Sequence, residues 1–311
     1  MTVRRWLGLV LALAAALLLT GCCQEVELDE RGWPQELVLG LVPSLEAEAM
    51  VDNLRPLAEH LESELGLTVR SFVPQDYTGL VEALGSGRAD IGMMPPFATM
   101  LGARRYDIEP ILISVRRGEV GYRPQWMTSD PTVCASEPVA DERGFLSCDA
   151  DIEIMRGQTV GFVEPNSTSG YLFPALQLLE AGIDPESDIR GLFLGRHDAV
   201  VMALRVGDLR FGVSYDDARN MIRNQFPDVG ERVIVFNHAP MIPNDGVQLR
   251  PGLPDDLRQA IKQAFISLAR SQAHLPEEEK VLWILYEIDD FQPITPGIYD
   301  DVRDAYELLR R

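Results

Sequence analysis

The chain has 311 residues and a formal net charge of −20, with 48 acidic against 28 basic side chains and only Lys262 and Lys280 as lysines. Such a surface repels nucleic acid and anionic lipid headgroups and excludes a role built on either. It also repels an anionic ligand at long range, so an anion site here must rest on local dipoles and hydrogen bonds, and the length predicts two lobes rather than one compact core.

Arg4 and Arg5 precede an apolar run over residues 6–19, which ends in Leu19-Thr20-Gly21-Cys22, the order a lipoprotein signal peptidase accepts. A transmembrane helix needs about 20 apolar residues, and this run is shorter and closes on small residues. Residues 1–21 are therefore expected to be a signal peptide, the Cys22 thiol the lipid attachment point, and residues 22–36 a polar leash. Cys23 falls in the leash and is expected to be idle.

An apolar strand at 36–41 is followed by a helical pattern through Met50, Leu54, Leu57, Leu61 and Leu65, closed by Gly66. A strand at 68–73, a helix through Leu80, Val81 and Leu84 and a strand at 89–94 come next, before Pro95-Pro96 turns the chain into a helix at 97–105. This β-α repetition predicts a parallel sheet. A fourth strand at 108–115 leads into an irregular region over 116–155. There Cys134 and Cys148 lie in a Pro-, Ser- and acid-rich stretch of an exported chain, and a disulfide is expected, contributing roughly 3 kcal/mol through loop closure. A metal site would want further Cys or His at short spacing, and none is near.

A second alternating set has strands at 159–163, 192–194, 210–213 and 232–236 and helices at 171–181, 198–206 and 216–225. Three helical stretches follow Pro243, over 254–270, 276–286 and 298–311, and are expected to return to the first lobe. The predicted organisation is two α/β lobes, 37–115 with 241–311 and 116–240, joined by a hinge.

The most informative stretch is Val160-Gly161-Phe162-Val163-Glu164-Pro165-Asn166-Ser167-Thr168-Ser169-Gly170-Tyr171, a buried strand running through a polar turn into a helix. Three consecutive hydroxyls sit where the first amides of a helix have no partner, an anion seat that needs no Lys or Arg. Gly170 would let a ligand approach the backbone. Ordinary N-capping accounts for single hydroxyls equally well. Gly195-Arg196-His197-Asp198 and Ser214-Tyr215-Asp216-Asp217 repeat the strand-to-helix turn, and in an open α/β sheet such turns face one crevice. Ser44, Tyr77 and the turn from Pro95 to Thr99 hold equivalent places in the first lobe.

On these motifs the sequence resembles the periplasmic phosphonate-binding proteins of ABC importers, themselves similar to phosphite and phosphate binders. The resemblance spans nearly all of the mature chain, through Gly40-Leu41-Val42-Pro43-Ser44, Asp76-Tyr77-Thr78-Gly79-Leu80, Ala89-Asp90-Ile91-Gly92, the Ser167-Thr168-Ser169 turn, His197-Asp198-Ala199 and Ser214-Tyr215-Asp216-Asp217-Ala218. It implies a two-lobed type II binding-protein fold with the ligand between the lobes. Ser167, Thr168, Ser169 and Tyr77 would hold a phosphorus oxyanion, with His197 and Asp216 as neighbours, and acidic groups can take a ligand amine. It further implies an extracytoplasmic monomer serving an ABC permease and ATPase, and together with the Cys22 signal and the Cys and His spacing the expectation is a lipid-anchored protein with no cofactor and no metal. Two features depart from the family: Met94-Pro95-Pro96-Phe97, whose prolines lack an amide donor, and the cysteine-flanked insertion.

Two other functions compete. Catalysis would need a nucleophile with a base or an open metal position, and His60, His197, His238 and His274 have no metal-ligand spacing, while Gly212-Val213-Ser214-Tyr215-Asp216 lacks the closing glycine of a nucleophile elbow. A binding partner of a membrane sensor, for another oxyanion or a metal ion, remains open on sequence.

Overall fold

The computed structural model describes residues 28–44 and 47–310, so the signal peptide, Cys22 and Cys23 lie outside the described residues. Residues 28–35 belong to a unit of their own. There Asp29 accepts from the amides of Arg31 at 2.8 Å and Trp33 at 2.9 Å, and the Arg31 guanidinium lies 3.9 Å from the Trp33 ring centroid. This part of the expected leash is a folded turn.

From Glu36 onward the structure is α/β, with two large sheets. The first has six strands in the order Asp290–Pro293, Glu109–Val115, Gly246–Leu249, Ile91–Met94, Glu36–Leu41 and Thr68–Phe72. The last three are parallel, as β-α repetition requires. Gly246–Leu249 is antiparallel to both its neighbours, and Asp290–Pro293 is antiparallel to Glu109–Val115. The expected parallel sheet is thus mixed, because the chain re-enters its middle after building the second sheet. Four residues are too few to show a period, which hid Gly246–Leu249; its Gln248 is buried and accepts from the Met94 amide at 3.0 Å.

The second sheet has seven strands in the order Arg190–Phe193, Thr159–Phe162, Phe211–Tyr215, Pro124–Thr128, Ile234–His238, Leu146–Ser147 and Val139–Ala140. Pro124–Thr128 lies in the stretch read as irregular, yet it is antiparallel to both neighbours at the sheet's centre. All five of its residues are buried, so it shows no polar alternation. Cys134 and Cys148 are bonded, with their Cα atoms 5.6 Å apart. The expected helix at 216–225 shrinks to Asn220–Arg223, because Asp217 takes a left-handed φ of 61° and keeps 216–219 a turn.

Apolar faces seal each sheet. Leu54, Leu57 and Leu61 of helix Ala47–Leu65 are buried, as are Ile261, Ala264 and Phe265 of helix Asp255–Gln272, and the two helices pack together. Phe162, Phe211, Phe236 and Trp126 fill the second core. The final helix, Asp300–Leu309, packs against both Pro96–Tyr106 and Phe173–Glu180, placing Val302 and Ala305 with Phe97, Leu172 and Phe173. It therefore touches helices that follow strands of both sheets, rather than covering the first alone. Among the described residues no helix is long and apolar enough to cross a membrane.

Candidate functional site

A cavity of about 630 Å³ lies between the carboxyl ends of the two sheets' strands, lined from one side by Ser44, Tyr77 and Pro95 and from the other by Ser167, Ser169, His197, Tyr215 and Asp216. Of the residues singled out in the sequence, Thr168 does not line it. The tertiary fold shows what Thr168 does instead.

Strand Thr159–Phe162 ends in a turn that starts with Ser167, whose hydroxyl caps the Gly170 amide at 3.0 Å while its carbonyl accepts from the Leu172 amide at 3.0 Å, a π-type turn over Thr168–Leu172. Helix Phe173–Glu180 continues from it. Gly170 is required by packing, since an added Cβ would collide with the Val163 side chain and stand 2.8 Å from Ser167 Oγ. The close neighbour of that glycine is thus Val163 rather than an open approach for a ligand.

Across the cavity, strand Ile91–Met94 turns through Pro95 and Pro96 into helix Pro96–Tyr106, and Pro95 offers no side-chain cap. The prolines carry no amide hydrogen, so Phe97 bears the first donor of this helix. It donates to Thr168 Oγ1 at 3.0 Å. Thr168 caps a helix of the opposite side. Three further bonds join the same two sides: Tyr77 N to Glu164 Oε1 at 3.2 Å, Asn166 Nδ2 to Thr78 Oγ1 at 2.9 Å, and His197 N to the Ser44 carbonyl at 3.1 Å.

His197 and Ser214 meet as the turn motifs suggested, with Nδ1 and Oγ 2.7 Å apart. Burial, aided by the nearby Arg116 charge, pushes the His197 imidazole down to about 3, so it is neutral. Burial likewise holds the Tyr77 and Tyr122 hydroxyls well above their usual range, and they remain protonated donors. Tyr122 donates to Ser169 Oγ at 3.3 Å. Burial first, then Asp217, raises the Asp216 carboxyl, and burial raises that of Glu164.

Sequence reasoning missed the other wall. Arg116, Arg117, Tyr122, Asp245, Tyr286 and Glu287 also line the cavity. Arg116 stands 3.7 Å from Asp245 and 5.4 Å from the Tyr122 ring centroid. Burial opposes its charge most strongly, but Asp245, with smaller contributions from Tyr122, Tyr215 and Glu287, holds the guanidinium above its ordinary value. Arg117 bonds Asp217 at 3.2 Å and Glu287 at 2.9 Å, and Asp217 also accepts from Arg143 of the disulfide-bonded insertion at 2.9 Å. Arg117, Asp217 and Glu287 all have left-handed φ, at 51°, 61° and 53°, a local cost that the ion pairs help to offset. No short motif marks these residues. They come from the irregular region and from the segment read as covering helices. Among the described residues no group of three or more His, Cys, Asp or Glu side chains is placed to hold a metal ion.

Comparison with known proteins follows the same lines. The family model of the periplasmic substrate-binding protein of phosphonate ABC transporters matches residues 39–299. The chain is 27% identical over 230 residues to the phosphate-import protein PhnD of Mycolicibacterium smegmatis, covering 70% of this chain and 67% of that one. Among solved structures it resembles a binding-protein component of an ABC phosphonate transporter from Pseudomonas aeruginosa, with TM-score 0.74 and 19% identity over 88% of this chain and 86% of that one. It also resembles PhnD1 of Prochlorococcus marinus in complex with methylphosphonate, with TM-score 0.74 and 15% identity over 89% of this chain and 98% of that one. The fold is that of type II periplasmic binding proteins, and members of the family are substrate-binding components of transporters rather than enzymes. With the model matched along most of its length, the chain belongs to the family of periplasmic substrate-binding proteins of phosphonate ABC transporters.

Proposed function

We propose that this protein is a lipid-anchored, extracytoplasmic capture component of an ABC importer that holds phosphonate, phosphite or a related phosphorus oxyanion. The observation that carries the reading is the Ser167–Ser169 turn, a run of buried hydroxyls opening into a cavity shared with Tyr77 and His197. Ser167, Ser169 and Tyr77 bind the oxyanion, His197 and Asp216 adjoin it, and Thr168 contributes by holding the two sides together. A neutral histidine and protonated tyrosines suit an acceptor-rich ligand, because each can donate a hydrogen bond without first losing a proton.

The two lobes, 37–115 with 241–311 and 116–240, close on the ligand by hinge motion, and the bonds across the cavity represent the closed form. Cys22 carries the lipid, and the protein works as a monomer delivering ligand to the permease and its ATPase. Calorimetric titration of residues 24–311 with methylphosphonate, phosphite, phosphate and sulfate tests the reading. Binding of a phosphorus oxyanion well ahead of sulfate is expected; equal or absent binding of all four would overturn it.

A further inference from the structure

The pairing of Arg116 with Asp245 is incomplete. Their closest atoms are 3.7 Å apart, beyond the 2.7–2.9 Å of a charge-assisted hydrogen bond, and Arg116 Nε and Asp245 Oδ1 are both buried without a hydrogen-bond partner. Underbonded buried ions are costly unless further partners complete them. Both side chains line the cavity and are mostly buried, 15% and 19% exposed, and Asp245 directly precedes Gly246 of the central antiparallel strand.

The other lining cation is engaged, since Arg117 bonds Asp217 and Glu287. Arg116 is the one with spare donors, in a lining that also carries the carboxyls of Glu119, Asp216, Asp245 and Glu287. Its guanidinium lies against the ring of Tyr122, whose hydroxyl bonds Ser169 Oγ at 3.3 Å. The cation and the hydroxyl turn thus flank one ring. A planar fork of donors matches the tetrahedral face of a phosphoryl group.

We propose that Arg116 is the counter-ion of the bound oxyanion and makes the cavity prefer a doubly ionised oxyanion over a singly ionised one of the same shape, a preference that Asp245, competing for the same guanidinium, narrows. Attraction to Arg116 doubles with ligand charge, and so does repulsion from the carboxyls. Removing the cation therefore cuts the preference for the higher charge, and removing a carboxyl widens it. This inference rests on the cavity taking a phosphorus oxyanion.

Methylphosphonate and methanesulfonate are near-isosteres that carry two and one negative charges at about pH 9. Their dissociation constants are to be measured by calorimetry at that pH for the wild type, Arg116→Gln, Asp245→Asn and the double variant. Arg116→Gln is expected to weaken methylphosphonate by about tenfold to a hundredfold and to shrink its preference over methanesulfonate by about tenfold. Asp245→Asn should widen that preference. The double variant should stay well below wild-type affinity, whereas full recovery would mean that Arg116 only neutralises Asp245 and would overturn the inference. An unchanged preference in Arg116→Gln would overturn it too. Should the glutamine variant not fold, Arg116→Lys keeps the charge without the fork and is expected to retain the preference at reduced affinity; a lost preference there counts against the inference. Wild-type protein that binds neither methylphosphonate, phosphite nor phosphate would defeat the oxyanion reading itself, an outcome distinct from binding with an unchanged preference.

Discussion

The turn after Ile91–Met94 and the turn after Thr159–Phe162 both border the cavity, each leading from a strand into a helix, yet their chemistry is opposite. One presents Pro95 and Pro96, with no amide hydrogens and no side-chain cap; the other presents three buried hydroxyls. Two donor-rich turns facing each other could each hold an anion in the open form. Here the first donor of the helix after the proline turn is used on Thr168. On the proposed reading, the hydroxyl turn supplies most of the ligand contacts, while the proline side supplies Tyr77, shape and a latch. The Ser-Thr-Ser run also divides this labour between its ends and its middle, since Ser167 and Ser169 line the cavity and Thr168 does not.

The strongest test of that division is Ser169→Ala. Removing a hydroxyl that faces the cavity should weaken methylphosphonate by about tenfold to a hundredfold, with the melting temperature of the ligand-free protein nearly unchanged. Calorimetry beside a thermal melt reads both; unaltered affinity would leave Ser169 only as the acceptor of the Tyr122 hydroxyl.

His197 sharpens the comparison from the wall beside the hydroxyl turn. An unfolded chain protonates this imidazole near pH 6.5, whereas burial in the folded protein pushes it down to about 3. Its stabilising contribution is therefore complete above about pH 6.5 and falls by about 1.4 kcal/mol per unit as the pH drops toward 3. The buried carboxyls of Glu164, Asp216, Asp245 and Glu287 are raised, first by burial, and act in the opposite sense, losing stability as the pH rises through their folded values. His197→Gln removes the imidazole alone. The stability difference between wild type and variant, from urea melts, should shrink by about 2 kcal/mol between about pH 6.5 and 5. Parallel curves would contradict a neutral His197.

The smallest effect falls on the latch. Thr168→Val keeps the shape but leaves the Phe97 amide without an acceptor when the two sides meet. An unsatisfied buried amide costs about 1–3 kcal/mol, paid only on closure, so methylphosphonate binding should weaken by about tenfold, mainly through faster release in stopped-flow. A lower melting temperature of the ligand-free protein, with release unchanged, would assign Thr168 to stability instead.

Much of this molecule was legible before folding. Glycine-stopped apolar periods placed the helices Ala47–Leu65 and His197–Val206, the strand-turn-helix order placed Ser167, Ser169, Tyr77 and His197 at one crevice, and paired cysteines in an exported loop anticipated the disulfide. These are local signals, set by propensity, capping and the two periodicities of backbone structure. The centre of each sheet escaped: Pro124–Thr128 and Gly246–Leu249 are short and buried on both faces, so nothing in their sequence alternates.

The sequence by itself determined the α/β class, the positions of most elements and the hydroxyl-rich turn, because each depends on residues close together along the chain. Only the tertiary structure decided that Thr168 caps a helix 71 residues away and that Arg116 stands beside Asp245, 129 positions on. Net charge described the protein as poor in cations, but electrostatic energy depends on distance and burial rather than on totals. One arginine brought out of water beside the hydroxyl turn can outweigh a distant acidic surface that solvent and salt screen.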